Sequence, residues 1–203
     1  CDLKVLAADR RSGVLAAIDA FRPGILAFSI SSFGYRWALD LAREVKQRSD
    51  VLTVVGGPHP TYFPEVVRED GIDLGCRGEG ELALADLADA VDDGRDPREI
   101  PNLTYVGKAG EVVQNPLRPL IEDLDQLPFA DRSLLFRHPA LGKLSYKRFM
   151  VGRGCPYGCT YCFNRAAQKM YRGLGRYVRH RSPDNVLAEI EEVQRRWGLA
   201  TVG

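Results

Sequence analysis

The stretch GRGCPYGCTYCFN, residues 152–164, carries three cysteines, Cys155, Cys159 and Cys162, spaced C-x3-C-x2-C. Thiols brought together in one loop are soft metal ligands, and three readings compete for them. A structural zinc site takes four ligands, usually from two separated pairs. Here the fourth would have to be His138, His180 or Cys76, and none of these stands at a zinc-knuckle spacing. Incidental thiols are the second reading, but inert cysteines belong inside buried elements and not in a polar glycine loop. The third reading is an iron–sulfur cluster. A cubane takes four thiolates as a rule, so three leave one iron open. An open metal position marks a catalytic site, where a structural one is closed. On this reading Gly152, Gly154 and Gly158 let the backbone wrap closely around a bulky group.

Three more loops carry residues suited to binding: SISSFGY (29–35), VGGPHPTYFPE (55–65) and CRGEGE (76–81). Each follows a short apolar run. Taken singly they are bland. Gly-Gly with two prolines is first of all a turn, His59 is a loop histidine, and the acids of GEGE suit the first turn of a helix. From Lys143 to Arg181 there are ten lysines and arginines and no acid. That is a solvated rim balancing nearby negative charge or, on the sharper reading, a surface for an anionic substrate or RNA.

The elements that must position these loops follow from periodicity. Apolar runs at 3–8, 25–30, 51–55 and 72–76 read as buried parallel strands. Helical patterns lie between them in SGVLAAIDAF, YRWALDLAREVKQR and ELALADLADAVDD, the last with Leu84, Leu87, Ala88 and Val91 at helical spacing. Such alternation implies a doubly wound sheet with ligands at the carboxyl ends of its strands. Residues 102–114 read as a hairpin turning at Lys108–Gly110, and a proline-bearing linker runs to about Ser145. YKRFMV (146–151) reads as a strand entering the cysteine loop. Ser182-Pro183-Asp184 opens a helix whose apolar face is Val186, Ile190, Val193 and Trp197, stopped by Gly198.

The opening CDLKVLAAD reads as a strand already under way and LATVG as another beginning, so the chain is expected to start inside one domain and stop inside the next. At 203 residues, 45% hydrophobic, it can fill a core, and a net charge of +1 implies no general affinity for nucleic acid or anionic membranes. No apolar run is long enough to span a bilayer. Five cysteines, three of them in one loop, fit a reducing compartment and a metal site better than a secreted disulfide scaffold.

The motif CPYGCTYC, preceded by Arg153-Gly154 and a strand, resembles the cluster loop of the radical S-adenosylmethionine (SAM) superfamily. That resemblance implies that Cys155, Cys159 and Cys162 hold a [4Fe-4S] cluster whose open iron chelates SAM, with Tyr161 against the adenine. It also implies cleavage of SAM to methionine and a 5′-deoxyadenosyl radical. PGILAFSISS, VVGGPHPTYFPE and CRGEGE, followed by DLDQLPFADRSLL, resemble the cobalamin-binding domain of the B12-dependent members. The resemblance spans essentially the whole chain and implies a flavodoxin-like (Rossmann-like) sheet over 1–100, a hairpin and linker over 101–145, and the first β-α unit of a partial TIM barrel over 146–203.

By the same resemblance Ser29, Ser31, Gly56 and Gly57 line the slot for the nucleotide tail of cobalamin, and Arg77, Gly78 and Glu79 form its rim. A leucine at Gly57 is expected to fill that slot and leave the sheet intact. Two features depart from the family pattern. The family's first strand–helix unit is expected to be missing from this stretch, and Asp9-Arg10-Arg11 stands near the place of a D-x-H-x-x-G box without its histidine. The implied function is a cytoplasmic B12-dependent radical SAM methyltransferase acting on an unactivated carbon, or an enzyme of related radical rearrangement. It would take a small-molecule substrate and an electron donor such as flavodoxin or ferredoxin. The alternatives are an RNA-modifying radical SAM protein that does not use B12, and a non-catalytic cofactor-binding fragment.

Overall fold

The computed structural model describes residues 11–136 and 139–203. The strand expected over 3–8, Asp9, Arg10 and His138 lie outside the described residues. Two compact units divide between Arg118 and Pro119.

The first unit alternates helix and strand: α1 (Arg11–Phe21), β1 (Ile25–Ser29), α2 (Tyr35–Lys46), β2 (Leu52–Gly56), the short α3 (Pro58–Tyr62), β3 (Leu74–Cys76) and α4 (Glu81–Asp92). Strands β1, β2 and β3 pair in parallel, with Ser29 opposite Gly56 and Val55 opposite Gly75. Alternation along β2 feeds two faces. Val54 joins Leu74, Ala83, Leu87 and Leu103 under α4, whereas Val55 joins Ala38, Leu39 and Ala42 of α2. On that second side Val14, Leu15 and Ile18 of α1 close against Leu41, Val45 and Val51. Helices on both faces make the sheet doubly wound, as the alternating pattern implies.

Two details differ from the sequence reading. The buried face of α4 is Ala83, Leu87 and Ala90, while Leu84 is exposed. Two alanines facing the sheet let the helix axis approach more closely than leucine would, which turns the apolar stripe by about one residue. The hairpin is also more than a connection. Strands β4 (Leu103–Val106) and β5 (Val112–Gln114) form it as expected, and β4 pairs antiparallel with β3, so the sheet runs in the order β1-β2-β3-β4-β5.

The second unit begins with the linker, which is packed and not free. Leu120 and Leu124 are buried. The Leu120 N–H donates to the Leu174 carbonyl at 2.7 Å, and Arg179 Nη1 donates to the Ile121 carbonyl at 2.7 Å. Two helical turns follow, α5 (Ser133–Phe136) and α6 (Pro139–Gly142). The single strand expected over 146–151 is broken. Strand β6 (Tyr146–Lys147) pairs in parallel with β9 (Thr201–Val202), and β7 (Gly152–Arg153) pairs antiparallel with β8 (Arg179–His180). Inside the break, carbonyls accept from side chains: Arg148 from Arg132 Nη2 at 3.0 Å and Met150 from Arg181 Nη1 at 3.1 Å. Between β7 and β8 lies α7 (Asn164–Met170), and α8 (Pro183–Trp197) runs from a Ser182 cap to Gly198, as its end signals require.

Candidate functional site

In the first unit the three loops converge because the strands they leave are neighbours. The Ile30 N–H donates to the Gly56 carbonyl at 2.8 Å and the His59 N–H to the Ile30 carbonyl at 3.1 Å. Gly57 sits at φ +93°, and a Cβ there would stand 2.9 Å from the Ile30 carbonyl oxygen. This corrects the expectation for Gly57→Leu. The glycine is needed for one loop to lie on the other, so a side chain would disturb the loops before it met any ligand. Gly56 lies in β2 itself, with ordinary space beside it.

Thr61 couples the second loop to the third. Its hydroxyl donates to the Gly57 carbonyl at 2.8 Å and accepts from the Gly78 N–H at 3.0 Å. His59 serves the fold. Its ring stacks on Tyr35 at 4.5 Å, leans on Phe63 at 5.1 Å, and Nδ1 pairs with the Ser32 hydroxyl at 3.0 Å. Burial holds this imidazole below its usual pKa.

Ser29, Gly56, Gly57 and Gly78 are thus brought to three adjacent strand ends, with Ser31 exposed beside them and Arg77 and Glu79 half-buried. The Arg77 Nε is buried without a partner, an orphan donor on the rim that a polar group of a ligand would satisfy. Phe33, fully exposed at the tip of the first loop, adds apolar surface.

Asn102 holds the third loop and was not visible as such in the sequence. It lies at φ +73° and is buried. Its Nδ2 donates to the Arg77 and Glu79 carbonyls, each at 2.9 Å, and its Oδ1 accepts from the Arg118 N–H at 2.7 Å. Alanine at 102 would take the partner from three partly buried backbone groups and keep the unfavourable φ. The expected cost is about 2–3 kcal/mol, read as a lower urea midpoint with an unchanged slope.

In the second unit the three thiols lie on the loop between β7 and α7, Cys159 exposed and Cys155 and Cys162 half-buried. Among the described residues no group of three His, Cys, Asp or Glu is drawn together closely enough to hold a metal ion. Thiolates repel one another and gather around the cation that neutralises them. The donor set itself fits a soft metal centre: three sulfurs on an open loop, with no carboxylate between Cys155 and Cys162. Tyr161 stands out into solvent between two of the cysteines.

The glycines of this loop divide in role. A Cβ at Gly152 would meet the Arg179 carbonyl oxygen at 2.7 Å, and one at Gly154, at φ +83°, would collide with the Tyr177 carbonyl oxygen. These two serve the β7–β8 approach. Gly158 alone faces open space. Two amide side chains from α7, also missed in the sequence, hold the loop. Gln168 Nε2 donates to the Cys155 carbonyl at 2.8 Å, and Asn164 Nδ2 donates to Cys162 Sγ at 3.3 Å.

Cys76 is unlike the three loop thiols. It closes β3 and is buried, and burial, with Glu81 nearby, pushes its thiol up to about 11. Against an ordinary value of 9.0 this leaves an about hundredfold smaller thiolate fraction at a given pH. Among the four described cysteines, iodoacetamide labelling of the iron-free chain at pH 8, followed by peptide mapping, is expected to modify Cys159 first, then Cys155 and Cys162, and Cys76 last. Early labelling of Cys76 would contradict the packing of β3.

Two family models match the chain: the B12 binding domain over residues 1–88 and the radical SAM superfamily over residues 149–203. An uncharacterized methyltransferase of Pyrococcus horikoshii is 30% identical over 196 residues, covering 94% of this chain and 41% of that protein. The anaerobic magnesium-protoporphyrin IX monomethyl ester cyclase of Rubrivivax gelatinosus is 34% identical over 176 residues, covering 83% of this chain and 30% of the cyclase. The chain therefore spans less than half the length of either relative. A solved structure of the cobalamin-dependent SAM radical enzyme OxsB, with aqua-cobalamin and SAM bound, matches with a TM-score of 0.72 at 19% identity, over 93% of this chain and 25% of that one. At that identity the match speaks for the fold. No described helix is long and apolar enough to cross a membrane.

Proposed function

The chain belongs to the radical SAM family whose members carry a B12-binding domain, and on that premise we propose that it serves cobalamin-dependent methyl transfer to an unactivated carbon of a small molecule. The carrying observation is the presence in one chain of an open three-thiol loop and of small-residue loops gathered at three parallel strand ends. When bound, the cluster supplies the electron that cleaves SAM, and cobalamin supplies the methyl carrier.

The chain's own residues have separable tasks in this reading. Cys155, Cys159 and Cys162 would hold the cluster, leaving it a position open to SAM, and Tyr161 would lie beside the adenine. Ser29, Ser31, Gly56 and Gly57 admit the cobalamin tail, while Arg77, Gly78 and Glu79 form the rim, with the unpartnered Arg77 Nε as a donor to a polar group of the ligand. We assign the unit through Arg118, including β4 and β5, to cobalamin, and the unit from Pro119 to the radical SAM part. An electron donor such as flavodoxin or ferredoxin and a cytoplasmic location complete the proposal, since the thiols must stay reduced.

The test is hydroxocobalamin titration followed by absorbance, with circular dichroism as the folding control. Ser31→Trp is the informative variant, because an exposed loop position accepts a large side chain without repacking. Saturable binding by the chain and its loss in folded Ser31→Trp are expected. Equal affinity in both would remove this loop from the site, and no binding by either would sink the cobalamin reading. The cyclase relative supports a second reading, radical chemistry without net methylation. Production of 5′-deoxyadenosine with no methyl group delivered from labelled SAM would favour it. The RNA-modifying alternative gains no support from these relatives.

A further inference from the structure

One small network in the second unit has a direction. Asn164 opens α7 just after the last cysteine, and its amide is held at both ends. Nδ2 donates to Cys162 Sγ at 3.3 Å, and Oδ1 accepts from the Tyr177 hydroxyl at 2.9 Å. Turning the amide over would exchange donor and acceptor. Its oxygen would then face the sulfur, and only a protonated thiol could meet it. A metal-bound cysteine is a thiolate with no proton to give. Tyr177 as donor and Asn164 as donor in turn is therefore the sense that suits a negatively charged sulfur. The grip is two-sided, because Gln168, one helical turn further on, holds the backbone of Cys155.

We propose that Asn164, oriented by Tyr177, is a positioning residue that tunes the cluster through the Cys162 thiolate. This rests on the three-thiol cluster reading given above. A hydrogen bond to a ligating sulfur draws electron density from the iron. It stabilises the reduced cluster more than the oxidised one, since the reduced form carries one more negative charge, and so it raises the reduction potential. Asn164 thereby makes the electron needed for SAM cleavage easier to deliver.

The experiment uses the anaerobically reconstituted chain and measures iron content and, by potentiometric titration followed by electron paramagnetic resonance, the cluster midpoint. Asn164→Leu is expected to keep the wild-type iron content and to move the midpoint to a more negative potential. Asn164→Asp, of equal size but unable to donate when ionised, should move it further the same way. Tyr177→Phe leaves the amide in place but free to turn, and a smaller shift of the same sign is expected. An unchanged midpoint in both Asn164 variants with full iron overturns the proposal. So does reduced iron content with an unchanged midpoint in the cluster that remains, which would mean the amide only holds the loop. Wild-type chain that takes up no iron would sink the cluster reading itself, and the tuning role with it.

Discussion

Alanine in place of Cys155, Cys159 or Cys162 is expected to take the iron content of the reconstituted chain from about four per chain to near zero. The effect should be all or none. A cubane held by three thiolates has no spare protein ligand, and the only other cysteine among the described residues is unsuited to replace one. Cys76 closes a buried strand, and its raised pKa disfavours the thiolate that a metal needs. Cys76→Ala should keep its iron. The measurement is iron analysis with the visible absorbance of the cluster. A comparable loss of iron in Cys76→Ala would overturn the three-ligand assignment, and retained iron in any two of the loop variants would favour a different metal centre.

The second large effect is one of stability. Glu189, on the inner face of α8, is 4% exposed and bridges two arginines. Its Oε1 accepts from Arg132 Nη2 at 2.8 Å and its Oε2 from Arg181 Nη1 at 2.5 Å. The same guanidinium groups serve the carbonyls of the broken strand and lie over Phe149 and Phe129. Removing the carboxylate leaves two poorly solvated cations facing each other, so Glu189→Ala is expected to destabilise the second unit by about 3–5 kcal/mol. Glu192→Ala, which breaks the exposed pair with Arg196 on the same helix, should cost no more than about 0.5 kcal/mol. Trp197 fluorescence in a Trp37→Phe background reports the unfolding of this unit by urea. Equal midpoints for the two variants would show that the buried triad contributes nothing beyond a surface pair.

What the sequence shows of this molecule depends on how local the signal is. The α8 boundaries were legible because Ser182, Pro183 and Gly198 each act within one turn. The parallel strands were legible as short apolar runs, and the thiol loop as a spacing. Glu189 was not, since it interrupts an otherwise apolar face and its partners lie far off in the chain at Arg132 and close by at Arg181. Asn102 read as the start of a hairpin, whereas its work is to hold the backbone of residues 77 and 79. Asn164 could have been suspected from its place just after the last cysteine, but Tyr177, which orients it, could not. The sequence shows Gly57 as a small residue beside a loop, but not that a Cβ there would meet the Ile30 backbone, which only the approach of two loops distant in the chain brings about.

The order of the five-stranded sheet bears on how the first unit comes into being. Each of its described strands lies beside the one that precedes it in the chain, with no strand inserted later between two earlier ones. Every described pairing closes only the loop made since the previous strand, so loop-closure entropy is met in successive steps. In such an order each described strand after β1 has its neighbour already made when it is synthesised. The antiparallel hairpin comes last in the chain and lies at one edge of the described sheet. The described pairings of this unit draw on no residue of the thiol loop, so the unit through Arg118 is expected to unfold cooperatively in the presence of an iron chelator, as read by circular dichroism.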